Sequence, residues 1–419
     1  MRLLFVLSLS FFCLRPAQAE RLLIPMDTTQ RDHLKSYVLA LWILEHGGTI
    51  EWLLNYRGGT FLIDFQPSVA AEAQIRGITT ARISEAQAAQ IYAEIDGGNM
   101  DIVRLEKLPK IAVYTPPNKQ PWDDAVTMAL EYAQINYEKI WDEDVLEGAL
   151  DDYDWLHLHH EDFTGQYGKF YGSYGREAWY REQQTTYEAM AQRLGYAKVS
   201  EQKKAVTIKI YEYMASGGFL FAMCSATDTF DIALAALDLD ICHQIFDGDG
   251  ANTQVQGKLN FDRTMAFENF TLEMNPLVYE FSDIDTTPTD MRQIRTAEAE
   301  YFTLFEFSAK YDPVPTMLTQ CHTNIVDGFL GQTTAFRKGL IKKSVVLLGQ
   351  EEGTDNVKYI HGRAGKGTFT FYAGHDPEDH KHHVGDPPTN LALHPNSPGY
   401  RLILNNVLFP AAKKKERKT

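Results

Sequence analysis

The sequence predicts an α/β protein: a doubly wound parallel sheet with a small α/β domain ahead of it. Three observations predict this. Short apolar runs alternate with helical stretches along most of the chain. Gly47-Gly48 and Gly217-Gly218 each stop a helical stretch just before an apolar run. Residues 219–223 then lead into Cys224 and a new helical pattern, the strand–turn–helix order of parallel sheets.

Taken in order, the first 19 residues, MRLLFVLSLSFFCLRPAQA, stand apart from this pattern. Arg2, the apolar stretch from Leu3 to Leu14 and the Ala17-Gln18-Ala19 end make a secretory signal peptide, cleaved before Glu20. The stretch is too short to span a bilayer, and no later segment is apolar enough to do so. The chain is therefore expected to be exported, periplasmic or secreted, with no transmembrane segment. Its net charge moves from −16 to −18 when Arg2 and Arg15 leave with the leader. So acidic a surface argues against nucleic acid as a partner. The basic tail KKKERKT, 413–419, reads as a solvated end, with a weak polyanion contact as its alternative. Cys13 leaves with the leader, and Cys224, Cys242 and Cys321 remain. Three is an odd number for an oxidising compartment, and buried small hydrophobes is the plain reading.

Residues 20–108 form the small α/β domain: a strand at RLLIP, a helix over DHLKSYVLALWILE, a strand at TIEWLLNY and a helix at SEAQAAQIYAEI capped by Ser84. The RGG turn at 57–59 suits either an anion cradle or a plain turn. Residues 109–412 form the larger domain. It opens on the strand KIAVY, with a helix over 122–135 whose first turn carries Asp123 and Asp124. Further strands fall at 154–160, 219–223 and 368–373, with helices at 201–215 and 397–409. Residues 164–175 read as a Gly/Tyr-rich loop, and about 240–315 as a polar, loop-rich insertion.

The chemistry-bearing residues fall at strand ends, where open sheets bind ligands. Cys224 sits on a strand-to-helix turn between Ala222 and Ala226, like a nucleophile elbow, with the Ser225 N–H as an oxyanion donor. A helix N-terminus lowers a thiol pKa, and Asp228 works against that. The alternative is a small residue at a crowded crossing. His375 follows the strand 368–373, with Asp376 and Glu378 near enough to orient its ring, as a Cys–His pair for acyl transfer requires. His157 and His159 share one face of a strand and His160 takes the other. With His380, His382 and His383 in a later loop, this density suits a divalent metal such as zinc, or an ordinary polar surface. The DGDG run at 247–250 is a fragment of a calcium loop, better read as a turn, and Cys321-His322 is a lesser strand-end pair. Trp155 and the aromatics of 166–181 suit sugar stacking or core packing.

The wording YMASGGFLFAMC and GKGTFTFYAGHDPED resembles the class I glutamine-amidotransferase-like superfamily, and within it the trehalose-utilisation (ThuA-like) branch. The resemblance covers about 110–409 and implies a flavodoxin-like sheet with Cys224 as nucleophile, His375 as base and Glu378 or Asp376 as orienter. Two departures stand out: Ala222 and Ala226 replace the flanking glycines, and His375-Asp376-Pro377-Glu378 carries one residue more than His-Pro-Glu. Exported bacterial proteins of this look sometimes carry an asparagine synthetase label. Arg2 follows the initiator Met where such a synthetase has its Cys, and no Ser-Gly-Gly-x-Asp-Ser loop occurs, so ATP-dependent asparagine synthesis is not supported. The expectation is an exported hydrolase acting on an amide, ester or carbohydrate-derived small molecule. Its alternative is a non-catalytic periplasmic protein holding a sugar or a divalent metal in the same cleft.

Overall fold

The computed structural model describes residues 20–117, 124–286, 300–312, 320–328, 331–379 and 386–412. The leader, the basic tail, Asp123, His380, His382 and His383 lie outside the described residues.

The first sheet is built from β1 (Glu20–Ile24), β2 (Ile50–Leu54), β3 (Thr60–Asp64), β4 (Ala81–Ser84) and β5 (Asp101–Leu105). They lie in the order β4-β1-β3-β2-β5, and every pairing is antiparallel. Period-two alternation splits their side chains between two faces. Leu23, Leu53, Leu62 and Ile83 pack on α3 (Glu85–Gly97), which starts with a reciprocal Ser84–Gln87 capping box. Leu22, Ile24, Trp52, Leu54, Phe61 and Ile63 face α1 (His33–Glu45) and α2 (Pro67–Ile75). The RGG turn closes the β2–β3 hairpin. It is a plain turn: the Gly59 and Thr60 N–H groups each donate to the Tyr56 carbonyl at 3.1 Å, and Arg401 donates to the Gly58 carbonyl.

The second sheet begins with β6 (Ile111–Tyr114), α4 (Ala125–Tyr132), β7 (Glu138–Ile140), α5 (Asp142–Glu147) and β8 (Trp155–Leu158). After α6 (Tyr171–Tyr174), α7 (Ala178–Arg193) and α8 (Val199–Ser216) come β9 (Phe219–Met223), α9 (Ser225–Ala235) and α10 (Gln244–Asp247). The remaining elements are β10 (Tyr301–Leu304), β11 (Ile325–Asp327), β12 (Phe336–Arg337), β13 (Val346–Gln350), β14 (Asn356–Ala364), β15 (Gly367–Tyr372) and α11 (Pro398–Leu408). The sheet order is β11-β10-β13-β14-β15-β9-β8-β6-β7, with β12 on β14.

The expected all-parallel sheet is corrected here: the sheet is mixed. Strands β15, β9, β8, β6 and β7 are parallel, as the strand–helix alternation implies. From β14 outward every pairing is antiparallel. The reason is local. Only Gly365 and Lys366 separate β14 from β15, and so short a link closes a hairpin, never a parallel crossover. Gly365 has φ 59°, the left-handed geometry such turns need.

Both faces of the parallel half are covered. Ala112, Tyr114, Leu156, Leu158, Leu220 and Ala222 face the core under α5, α7, α8 and α9. Ile111, Val113, Trp155, Phe219, Phe221 and Met223 face α4 and α11, in the core that continues into the first sheet. The 164–175 stretch is not an open loop. Asp162 accepts the N–H groups of Thr164, Gln166 and Gly168, and turns Tyr167 and Phe170 into the core. Trp155, Tyr167, Phe170 and Tyr180 are therefore buried packing residues and offer no face to a sugar. The polar stretch after α9 is pinned by Asp231, whose carboxylate accepts the N–H groups of Met265, Ala266 and Phe267 at 2.7, 2.7 and 2.8 Å.

The Lys358 ammonium on β14 lies 3.1 Å from Glu300 and 3.2 Å from Glu351, all three side chains buried. Arg401 on α11 reaches across to the first unit, donating to Tyr37 Oη at 3.0 Å, to the Met26 carbonyl at 2.9 Å and to the Gly58 carbonyl.

Candidate functional site

The carboxyl ends of β6, β8, β9 and β15 lie side by side, and the candidate residues gather there. Cys224 follows β9, and its N–H donates to the Gly374 carbonyl at 3.0 Å. Gly374 precedes His375, so the sheet register brings these two candidates to neighbouring strand ends. His159 and His160 follow β8. Asp124 is the N-cap of α4 after β6, its carboxylate accepting the N–H groups of Val126 at 2.8 Å and Thr127 at 3.2 Å.

Cys224 has the backbone of an elbow, φ 53° and ψ −143°, which a residue with a Cβ rarely adopts. Its thiol is buried. Burial pushes it up to about 12, against the pull of the Ser225 N–H, and Asp228 and Asp285 push the same way. Burial and the nearby Asp285 hold Asp228 itself well above the usual carboxyl range, although Thr333 Oγ1 donates to it at 3.0 Å. The Ser225 hydroxyl donates to the His160 carbonyl at 2.9 Å, which ties the start of α9 to the end of β8. Asp376 accepts from the Tyr400 hydroxyl and, at 2.8 Å, from Thr389 Oγ1. Glu378 has φ 71°, and its carboxylate lies 3.4 Å from Nδ1 of His394.

The histidines converge more closely. His159 Nε2 lies 2.9 Å from His375 Nε2. The His160 ring meets His159 edge-on, 4.1 Å between centroids, and stacks on His375 at 6.0 Å. One ring nitrogen from each of the three lies within 4.8 Å of the other two. On its far side, His159 Nδ1 lies 3.0 Å from Asp124 Oδ1, and His157 Nε2 lies 3.4 Å from the same oxygen. His157 and His159 share the α4 side of the sheet because they are two residues apart on a strand and its extension. The rings are buried: His157, His159 and His375 are 0, 2 and 1 % exposed. Burial alone would raise the Asp124 carboxyl, but the His159 and His157 rings beside it hold it well below the usual range.

The sequence pointed to His157, His159 and His160 as one ligand set. The structure joins His159 and His160 to His375, and sets His157 beside Asp124 on the other side of His159. Asp124 went unrecognised as a site residue, its only signal being an acid in the turn that follows a strand. The DGDG run holds a cation of the chain's own: the Lys198 ammonium sits 2.7 Å from Asp240 and 3.2 Å from Asp247, and contacts Asp249. Cys321 and His322 lie near Arg401, with His322 stacked on His33 at 4.1 Å between centroids.

No helix among the described residues is long and apolar enough to cross a membrane. No family model matches the chain, and no curated protein does. Among solved structures, the chain is similar to the cytoplasmic protein STM3548 from Salmonella typhimurium, at 10% identity and TM-score 0.34, over 73% of this chain and 100% of that one. The cytoplasmic protein STM1381 from Salmonella typhimurium LT2 matches at 13% identity and TM-score 0.35, again over 73% and 100%. A β-galactosidase from Bacillus circulans sp. alkalophilus matches at 8% identity and TM-score 0.27, over 65% of this chain and 29% of that one. Likenesses this slight assign neither family nor activity.

Proposed function

We propose that this chain is a divalent-metal-binding protein, with zinc the best-matched ion, held by His159, His160 and His375 at the strand ends. The observation that carries this reading is the 2.9 Å approach of His159 Nε2 to His375 Nε2 in a buried site, with His160 beside them. Two imidazole nitrogens so close repel if both carry lone pairs or both carry protons. A shared proton or a shared metal resolves this, and zinc commonly takes three imidazoles with a fourth position open. That open position would hold an oxygen atom of a small-molecule ligand. The test is a zinc titration of the metal-free protein against a chromophoric chelator. Wild type should bind zinc, and His159→Ala and His375→Ala should each weaken binding by about 100-fold or more. Wild type that takes up no zinc would end this reading.

A second reading is an amidotransferase-like hydrolase acting on an amide, ester or carbohydrate-derived small molecule through Cys224 and His375. The elbow backbone of Cys224 and its bond to Gly374 favour it. The alkylation rate of Cys224 by iodoacetamide separates the two. With the thiol pushed up to about 12, the rate should be slow and still climbing at pH 9. A plateau below the free-thiol value of ~8.5, lost in His375→Ala, would establish the Cys–His pair instead.

A further inference from the structure

We infer that Asp124 is a positioning residue for the metal centre: its carboxylate fixes the tautomer of His159 and turns His159 Nε2 toward His160 and His375. The inference rests on the metal reading above and deepens it. Asp124 Oδ1, 3.0 Å from the buried His159 Nδ1, is an acceptor at a nitrogen with no other polar partner among the described residues, and it draws the single proton of the neutral ring to Nδ1. The other nitrogen, Nε2, then presents its lone pair, and it is the one that faces His375. Carboxylate–imidazole–metal chains of this kind orient the ligand and raise its basicity.

Three further observations place Asp124 behind the site rather than on the metal. Its Oδ1 already accepts two backbone N–H groups at the start of α4. The positive end of that helix dipole points at the same oxygen and disfavours a cation bound there. His157 supplies a further nitrogen on that oxygen, 3.4 Å away, and is itself anchored through Nδ1 to the Phe221 carbonyl at 3.2 Å. A carbonyl accepts only, so His157 Nδ1 carries a proton and the ring is locked in place. Asp124 is thus held by α4 on one side and braced by His157 on the other, which leaves His159 little freedom to rotate.

The experiment is zinc binding by the purified protein and by Asp124→Asn, with the cobalt(II) absorption spectrum of each. Asn caps a helix as well as Asp does, so α4 keeps its N-cap while the carboxylate charge is lost. The expected result is one zinc per chain in both, bound about 10–100-fold more weakly in Asp124→Asn, with a changed cobalt(II) spectrum. Asp124→Ser, which also caps but cannot reach the imidazole, should show the same loss. Equal affinity in wild type and Asp124→Asn overturns the inference and leaves the metal reading intact. Two zinc ions per wild-type chain, one of them lost in Asp124→Asn, overturns it too, because Asp124 would then be a ligand. Wild type without zinc uptake overturns the metal reading itself. One further measurement needs no variant: nitrogen-15 NMR of the His159 ring in metal-free wild type should find the proton on Nδ1, and a proton on Nε2 alone overturns the inference.

Discussion

Replacing Lys358 by Ala is expected to cost about 3–5 kcal/mol of folding stability. The ammonium is fully buried on β14, between the carboxylates of Glu300 and Glu351, themselves 1 and 5 % exposed. Removing the cation leaves two like charges in a low-dielectric interior without the ammonium that lay between them. The loss therefore exceeds what the deleted methylenes would cost by themselves. Urea unfolding at neutral pH measures it as a fall in midpoint at constant slope. A cost under about 1 kcal/mol would mean that the three groups are hydrated, as surface pairs are. The pair also joins separate parts of the sheet: Glu300 directly precedes β10, and Lys358 lies two strands away on β14. The antiparallel half of the sheet should lose its order first in the variant.

Acid should destabilise the protein steeply below pH 6.5, and two histidines account for a large part of it. His361, on β14, is pushed down to about 3 by burial, with Arg363 adding to the shift. His33, at the start of α1, is pushed down to about 3 by burial, then by the charges of Arg401 and His322. In the unfolded chain both take up a proton near 6.5. The folded state holds them neutral, so between those values the unfolded state binds more protons. Stability is complete above 6.5 and falls as the pH drops, by about 1.4 kcal/mol per pH unit for each residue. At pH 4 that amounts to about 3 kcal/mol apiece. Unfolding free energies of wild type and His361→Gln, measured from pH 7 to pH 4, isolate one share. The two curves should converge as the pH falls. Parallel curves would mean that His361 takes up its proton in the folded state.

How far the sequence can be read follows from the same physics. Residues 219–223 were legible to the residue because an unbroken apolar run bounded by Gly218 and Cys224 matches a strand buried on both faces. The parallel half of the second sheet followed from strands that alternate with helices. The antiparallel half was hidden in β14, NVKYIHGRA, where Lys358 and His361 break the apolar pattern although both are buried. Their partners, Glu300, Glu351 and Thr370, are distant or polar, so no local window reveals that these positions are interior. The site shows the same split. Strand-end positions for Cys224, His159, His160 and His375 came from local pattern. The pairing of His159 with His375 spans 216 residues, and only the order of strands sets it. At Cys224 the helix N-terminus argues for a lowered thiol pKa, and burial outweighs it.

Arg401 gives this chain a particular order of assembly. Its guanidinium satisfies carbonyls of Met26 and Gly58 that belong to the first unit, while Asn405, one turn further along α11, accepts from the Tyr37 hydroxyl. The backbone repeats the link: Glu106 donates to the Ala411 carbonyl at 3.1 Å, and Leu34 to the Pro395 carbonyl at 3.2 Å. The first unit thus holds groups whose partners are made 375 and 343 residues later, so at ~5–20 residues per second the first sheet waits tens of seconds with one face uncovered. During that interval Tyr37, Phe61 and Trp52 belong to an incomplete surface, which is completed only when α11 arrives.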